Sequence, residues 1–166
     1  DATAVGPGTY TITHEISSTC GDTATFDVTV LPLPTVSFVA DVTSGCEPLT
    51  VTFTYTGDPA ALCFWDFGDG TTSNACGTVT HTYSDYGVYD VSLTITDLND
   101  CVNSVTYSGY IEVYEMPVAA FTFGPQPTTI LNSTIHFTDQ SYNAAQWEWD
   151  FAGQGTSNAQ HPSFEF

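Results

Sequence analysis

Trp65-Asp66-Phe67-Gly68-Asp69-Gly70 decides how this chain is read, because a degraded copy, Trp149-Asp150-Phe151-Ala152-Gly153-Gln154-Gly155, recurs 84 residues later. Each residue type has a physical reason to stand there. A tryptophan brings a large apolar surface to the middle of a sandwich, so Trp65 is expected in a core and Trp149 in the matching place of its repeat. Asp69-Gly70 is a strong hairpin signal, since a tight primed turn needs positive φ. Asp66 is expected to accept hydrogen bonds from the turn backbone. A cation held by Asp66 and Asp69 is the competing reading, but a Gly68-Asp69-Gly70 turn needs no metal to explain it.

Outward from the hexapeptide the pattern is that of strands. In Leu49–Tyr55, Val51, Phe53 and Tyr55 share one face, and Thr52 and Thr54 the other. In Gly87–Asp97, Tyr89, Val91, Leu93 and Ile95 face inward, with Asp90, Ser92, Thr94 and Thr96 outward. Thr35–Ala40, Leu62–Phe67, Thr71–Ser73, Gly77–Tyr83 and Val102–Tyr114 complete a set of seven expected strands, separated by Gly, Pro and Asp turns. Helical periodicity is missing throughout. The expected class is an all-β sandwich.

Composition narrows the function. The 166 residues contain no lysine or arginine and 19 acidic residues, a formal charge of −19. Nucleic-acid binding requires cations to neutralise phosphate and is excluded; a basic patch on an anionic membrane fails for the same reason. Hydrophobic residues make up 42% and aromatics 14%, too many for a disordered acidic segment. No apolar run is long enough to cross a membrane. Nothing at residue 1 reads as a signal peptide, so the sequence is expected to be a mature or excised piece.

The five cysteines, Cys20, Cys46, Cys63, Cys76 and Cys101, show no Cys-x-x-Cys spacing, and no histidine completes a zinc set. Disulfides in an oxidising compartment are the better reading. Cys63 and Cys76 flank the Gly68-Asp69-Gly70 hairpin and are placed to staple it. His14, His81, His136 and His161 stand isolated, and no Ser-His-Asp or Cys-His motif is present. The chain reads as non-enzymatic and as needing no cofactor. If calcium binds at all, the acidic tip Asp97, Asn99 and Asp100 is the first choice, although a turn also explains those residues. Trp147 and Trp149 share a strand face, either as an aromatic sugar platform or, more simply, as packing. Tyr83, Tyr86 and Tyr89 flank a turn. Asn132-Ser133-Thr134 matches the N-glycosylation pattern.

With Leu49-Thr50-Val51-Thr52-Phe53-Thr54 upstream, and His81-Thr82-Tyr83 and the strand from Gly87 to Ile95 downstream, the hexapeptide resembles the signature of the PKD-type (polycystic kidney disease) immunoglobulin-like repeat. The resemblance covers nearly all of 34–116 and implies immunoglobulin-like sandwich repeats, with a corner-tyrosine role for Tyr86 and Tyr89. Within it, residues 1–33 match only the last two strands of the repeat, and 117–166 only the first five. The two ends, 33 and 50 residues, together equal the 83 residues of the middle segment. Two readings stay open: a slice of a longer tandem array, or a tail completed by the head of a neighbouring chain.

Gly45-Cys46 and Asn99-Asp100-Cys101 resemble placements in bacterial PKD-type repeats, which imply a Cys46–Cys101 disulfide. Cys20, in the position of Cys101, would then find its partner upstream of residue 1. The threonine-rich, lysine-free pattern is similar to surface adhesins of Bacteroidetes exported by the type IX system, gliding-motility adhesins among them. Asp22-Thr23-Ala24 resembles the O-glycosylation motif of such proteins. The resemblance implies an extracellular or cell-surface adhesin or filament segment of spacer modules. Its partners would be neighbouring repeats of the same or a like chain, and a surface polysaccharide or protein. The alternative is an accessory module of a secreted polysaccharide- or protein-degrading enzyme.

Overall fold

The structure is a computed structural model and describes residues 5–17, 19–126, 128–131 and 133–166. Among these the chain forms fifteen strands and no helix. The first two, β1 (Gly8–Ile16) and β2 (Asp22–Val30), make an antiparallel hairpin that is a sheet of its own.

The middle of the chain folds as two packed sheets. One has the order β3-β5-β8, from β3 (Phe38–Ala40), β5 (Leu49–Tyr55) and β8 (Thr78–Tyr83). The other has the order β4-β10-β9-β6-β7, from β4 (Ser44–Cys46), β6 (Leu62–Asp66), β7 (Thr72–Ser73), β9 (Gly87–Thr96) and β10 (Val102–Tyr114). Inward residues of both sheets meet in one core. Val51 and Phe53 from the first face Trp65, Val91, Leu93, Ile95 and Ile111 from the second, all fully buried. The period-two alternation of threonine with apolar residues is what gives each sheet its single dry face.

Three features depart from the expected strands. The segment before Ala40 is regular only from Phe38; Thr35 is instead tied across to Asp58, which accepts its N–H at 2.7 Å and donates a backbone N–H back at 3.0 Å. A strand absent from the sequence reading, β4, pairs in parallel with the end of β10, Cys46 opposite Tyr114. Within β10 a bulge falls between Tyr107 and Ile111, where the Gly109 N–H meets the Asp90 carboxylate at 2.6 Å. The bulge turns Tyr107 and Tyr110 onto Phe38, and the Tyr110 hydroxyl accepts the Ala40 N–H.

The turn after Trp65 also differs. β6 and β7 are joined through residues 67–71, with positive φ at Gly68 and Gly70 but not at Asp69, so the Asp69-Gly70 pair does not form a primed turn. Gly68 is fixed by tertiary contact. A Cβ there would lie 2.3 Å from the backbone oxygen of Asp90 on β9.

Residues 117–166 repeat the first half of this plan. β11 (Phe121–Gly124), β12 (Thr134–Asp139) and β15 (Ser163–Glu165) form a sheet in the order β11-β12-β15, matching β3-β5-β8. β13 (Trp149–Asp150) and β14 (Thr156–Ser157) pair as β6 and β7 do, Trp149 opposite Ser157 as Trp65 is opposite Ser73. Here Ala152 and Gly153 both have positive φ, and the Gln154 N–H meets the Phe151 carbonyl at 3.0 Å. The primed turn therefore forms in the degraded copy.

Candidate functional site

Around the hexapeptide the acidic side chains are occupied by the protein. Asp66 Oδ1 accepts the Gly68 N–H at 3.0 Å. Asp69 Oδ1 accepts the Thr71 N–H and hydroxyl, and its Oδ2 lies 2.7 Å from His81 Nε2. Partial burial pushes the Asp69 carboxyl up, but the Thr71 donors and then His81 outweigh it and hold it below the usual aspartate range. The His81 ring stacks on Phe67 at 4.2 Å. This pair was not foreseen, since it joins a loop to a strand 12 residues on. Thr71 and Asp69 both approach the same ring nitrogen, so the trio lacks the two-sided imidazole of a catalytic triad. Tyr83 is buried beside it and donates to the Phe67 carbonyl at 3.0 Å; burial pushes its hydroxyl far up. The corner is made by Tyr89, whose hydroxyl donates to the Asp85 carbonyl at 2.7 Å, while Tyr86 is exposed.

At the acidic tip, Asp97 Oδ1 accepts the N–H groups of Asn99 and Cys101 at 2.7 and 2.9 Å, which lowers its pKa, Cys101 contributing most. Asp100 sits at φ 62 and donates its N–H to the Asp97 carbonyl. Asp97, Asn99 and Asp100 thus build a turn. Among the described residues no cluster of three or more His, Cys, Asp or Glu side chains is arranged to hold a metal ion.

Cys63 and Cys76 are joined, with 5.3 Å between their Cα atoms. The expected Cys46–Cys101 disulfide is not formed. Cys46 pairs with Tyr114 at the end of β10, whereas Cys101 precedes its first residue, Val102. At about 3.3 Å per residue the length of that strand keeps them tens of ångströms apart, far beyond the ~7 Å a disulfide allows. Cys20 is exposed in the turn between β1 and β2. The glycosylation pattern at Asn132 begins on a residue outside the described ones.

A cleft of about 660 Å³ lies in the third segment, lined by Phe121, Phe137, Trp147, Trp149 and Phe151, with Asp139 at its side. Its aromatic cluster copies the middle core. Phe121 meets Trp149 edge-on at 5.2 Å and 70°, as Phe38 meets Trp65 at 5.1 Å and 70°. Both indoles donate to an alanine carbonyl ten residues on, Trp65 to Ala75 at 2.9 Å and Trp149 to Ala159 at 2.8 Å. Exposure is what differs: Phe38 is 2% exposed and Phe121 54%. Trp147 and Trp149 are half-buried, and their nitrogens turn to the protein, Trp147 Nε1 donating to Asp139 Oδ2 at 2.9 Å.

Asp139 organises the rim. It also accepts from the Ser141 N–H and Gln160 Nε2, while its own N–H donates to His161 Nδ1. Hydrogen bonds from Ser141, then Gln160 and Trp147, hold its carboxyl down to about 2. It was missed although a signal was available: in the alternation Ile135, Phe137, Asp139 it occupies an inward position. His136 Nδ1 lies 2.6 Å from Ser163 Oγ on the neighbouring strand.

The family model for the PKD domain matches residues 29–113. The PKD1 domain from the Vibrio cholerae metalloprotease PrtV is 29% identical, with a TM-score of 0.42 over 49% of this chain and 96% of that one. The PKD1 domain of Vibrio anguillarum Epp is 27% identical, with the same TM-score and coverage. A structure of carbohydrate-binding modules from the β-sandwich superfamily is 19% identical, with a TM-score of 0.45 over 64% of this chain and 54% of that one. No curated protein matches the chain.

Proposed function

Because the chain belongs to the PKD domain family, we propose that it is an extracellular, non-enzymatic segment of a surface adhesin or filament, in which immunoglobulin-like sandwiches act as spacers. The observation that carries this reading is the repetition of one aromatic core along the chain with a short, fastened connection between copies. Between β10 and β11, Glu115 accepts from Asn143 Nδ2 through its carbonyl at 3.1 Å and from the Tyr142 hydroxyl through its carboxylate at 3.2 Å. Such a clasp suits a spacer, which has to keep successive modules in line. The wholly acidic charge supports exposure to solvent and keeps neighbouring chains soluble. The lysine-free, threonine-rich composition and the Gly45-Cys46 and Asn99-Asp100-Cys101 turns favour a Bacteroidetes adhesin exported by the type IX route.

A second reading, an accessory module of a secreted polysaccharide- or protein-degrading enzyme, is favoured by the cleft between Trp147 and Trp149. The native polypeptide separates the two. Antibodies against residues 34–116 should label intact source cells, and mass mapping of the labelled protein should find further sandwich repeats. A labelled polypeptide carrying a hydrolase domain would replace the first reading with the second.

A further inference from the structure

The middle and third segments close the same loop with different chemistry. In the middle sandwich the Cys63–Cys76 disulfide ties β6, which carries Trp65, to the loop that follows β7. Moved on by the 84 residues that separate Trp65 from Trp149, the two cysteine places are taken by Trp147 and Gln160, with the same separation of 13. Residues 117–166 contain no cysteine.

The loops between these paired positions are built alike. Beside each second position stands the alanine whose carbonyl accepts the indole N–H, Ala75 from Trp65 and Ala159 from Trp149. Each alanine N–H donates in turn to a serine hydroxyl two residues back, Ala75 to Ser73 at 3.3 Å and Ala159 to Ser157 at 3.2 Å. Gln160 therefore stands where Cys76 stands. What joins it to Trp147 is a carboxylate: Asp139 Oδ2 accepts from Gln160 Nε2 at 3.1 Å and from Trp147 Nε1 at 2.9 Å. The other oxygen accepts the Ser141 N–H at 2.9 Å, which anchors the carboxylate at the end of β12. Asp139 is only 9% exposed. Hydrogen bonds to an ionised acceptor are stronger than neutral ones, and a donor left unpaired out of water is costly, so the arrangement resists opening. Tyr55 holds the place of Asp139 in the middle sandwich, and its hydroxyl donates instead to the carbonyls of Thr35 and Asp58. The carboxylate bridge has no counterpart beside the disulfide.

We propose that Trp147, Asp139 and Gln160 form a non-covalent staple in the place of the Cys63–Cys76 disulfide, and that this exchange confines thiol sensitivity to the middle sandwich. A small dithiol reductant gives two electrons and two protons to Cys63–Cys76; the S–S bond breaks, two thiols form, and the dithiol becomes a cyclic disulfide. The Asp139 bridge offers such a reductant no bond to cleave. Reducing surroundings thus loosen residues 67–77 and leave 151–161 closed, so one chain carries a redox-responsive module beside an indifferent one. The inference goes beyond the spacer reading and does not rest on it.

The test is hydrogen exchange of the full 166-residue chain, read by mass spectrometry at neutral pH with and without a dithiol. Reduction of the parent should speed exchange several-fold in residues 67–77 and leave 151–161 at its oxidised rate. Gln160→Ala and Trp147→Phe each remove one donor to Asp139. Both should speed exchange several-fold in 151–161, with or without dithiol, and leave 67–77 unmoved. Exchange in β12 at the parent rate separates a loosened loop from an unfolded segment. Three results overturn the proposal: exchange in 151–161 that rises with dithiol, exchange there that stays at the parent rate in both variants, or residues 67–77 unmoved once the mass shows Cys63 and Cys76 reduced.

Discussion

Replacing Gly68 by alanine tests a close approach between a turn and a strand in the middle sandwich. The new methyl meets two penalties. At φ 82 an L-residue is in the left-handed region, which costs about 1–2 kcal/mol. Its Cβ would also stand 2.3 Å from the Asp90 carbonyl oxygen and 3.1 Å from the Asp90 nitrogen. Those are backbone atoms of β9, a strand held on both sides by β6 and β10. Restoring ordinary contact needs a shift of about 1 Å, and such overpacking costs about 1–3 kcal/mol. The total is about 2–5 kcal/mol, against roughly 4–12 kcal/mol of stability for a domain of this size. Gly70 supplies the control. Its φ is 90, but a Cβ there meets nothing within 4 Å, so Gly70→Ala carries only the left-handed cost. Urea unfolding of both variants, followed by tryptophan fluorescence, isolates the contact as their difference. Equal midpoints for the two variants would refute the close approach to Asp90.

The remaining predictions concern the same framework. Ala152 occupies the left-handed region at φ 56, so Ala152→Gly should stabilise the third segment by about 1 kcal/mol, seen as a higher urea midpoint. Trp65→Ala should cost about 3–5 kcal/mol and melt the middle sandwich at a far lower temperature; calorimetry matching the parent would move the indole out of the core. Reducing Cys63–Cys76, which closes a loop with a sequence separation of 13, should cost about 3 kcal/mol on the chain-entropy model, measured as the denaturant midpoint with and without reductant. Because the Asp139 carboxyl is lowered to about 2, the stability it contributes is whole above the ordinary aspartate pKa of ~3.9 and drains away as pH falls through about 2. An acid titration followed at the third segment should show that loss, and Asp139→Asn should lack it; identical acid profiles would exclude the carboxylate.

Sequence reading reached the elements whose residues alternate cleanly. The bounds expected for β5 and β10 are those found, and in β5 the threonines and apolar residues mark the two faces one by one. β4 stayed hidden because Ser44-Gly45-Cys46 has no alternation, and its partner is the far end of β10. The Asp69-Gly70 turn was misread for a tertiary reason: β9 passes so close that the glycine is needed at 68. The Cys46–Cys101 pairing failed on length, since similar turn residues at the two sites say nothing about the strand that separates them. The open face of the third segment was legible only in part. Trp149 could be aligned with Trp65, but exposure depends on which strands stand opposite, and no residue of its own carries that information.

The parallel contact between β4 and β10 has a mechanical consequence. Tension along the chain enters the middle sandwich through β3, passes to β4 and leaves from the end of β10. For two parallel strands these pulls run along the strand axes in opposite senses. The hydrogen bonds from the Glu112 N–H to the Thr43 carbonyl and from the Glu47 N–H to the Tyr114 carbonyl, both 2.9 Å, are then stretched together in shear and not peeled in turn. The Cys63–Cys76 staple lies off this line, so the shear contact of the three-residue β4 with β10 does not run through the disulfide.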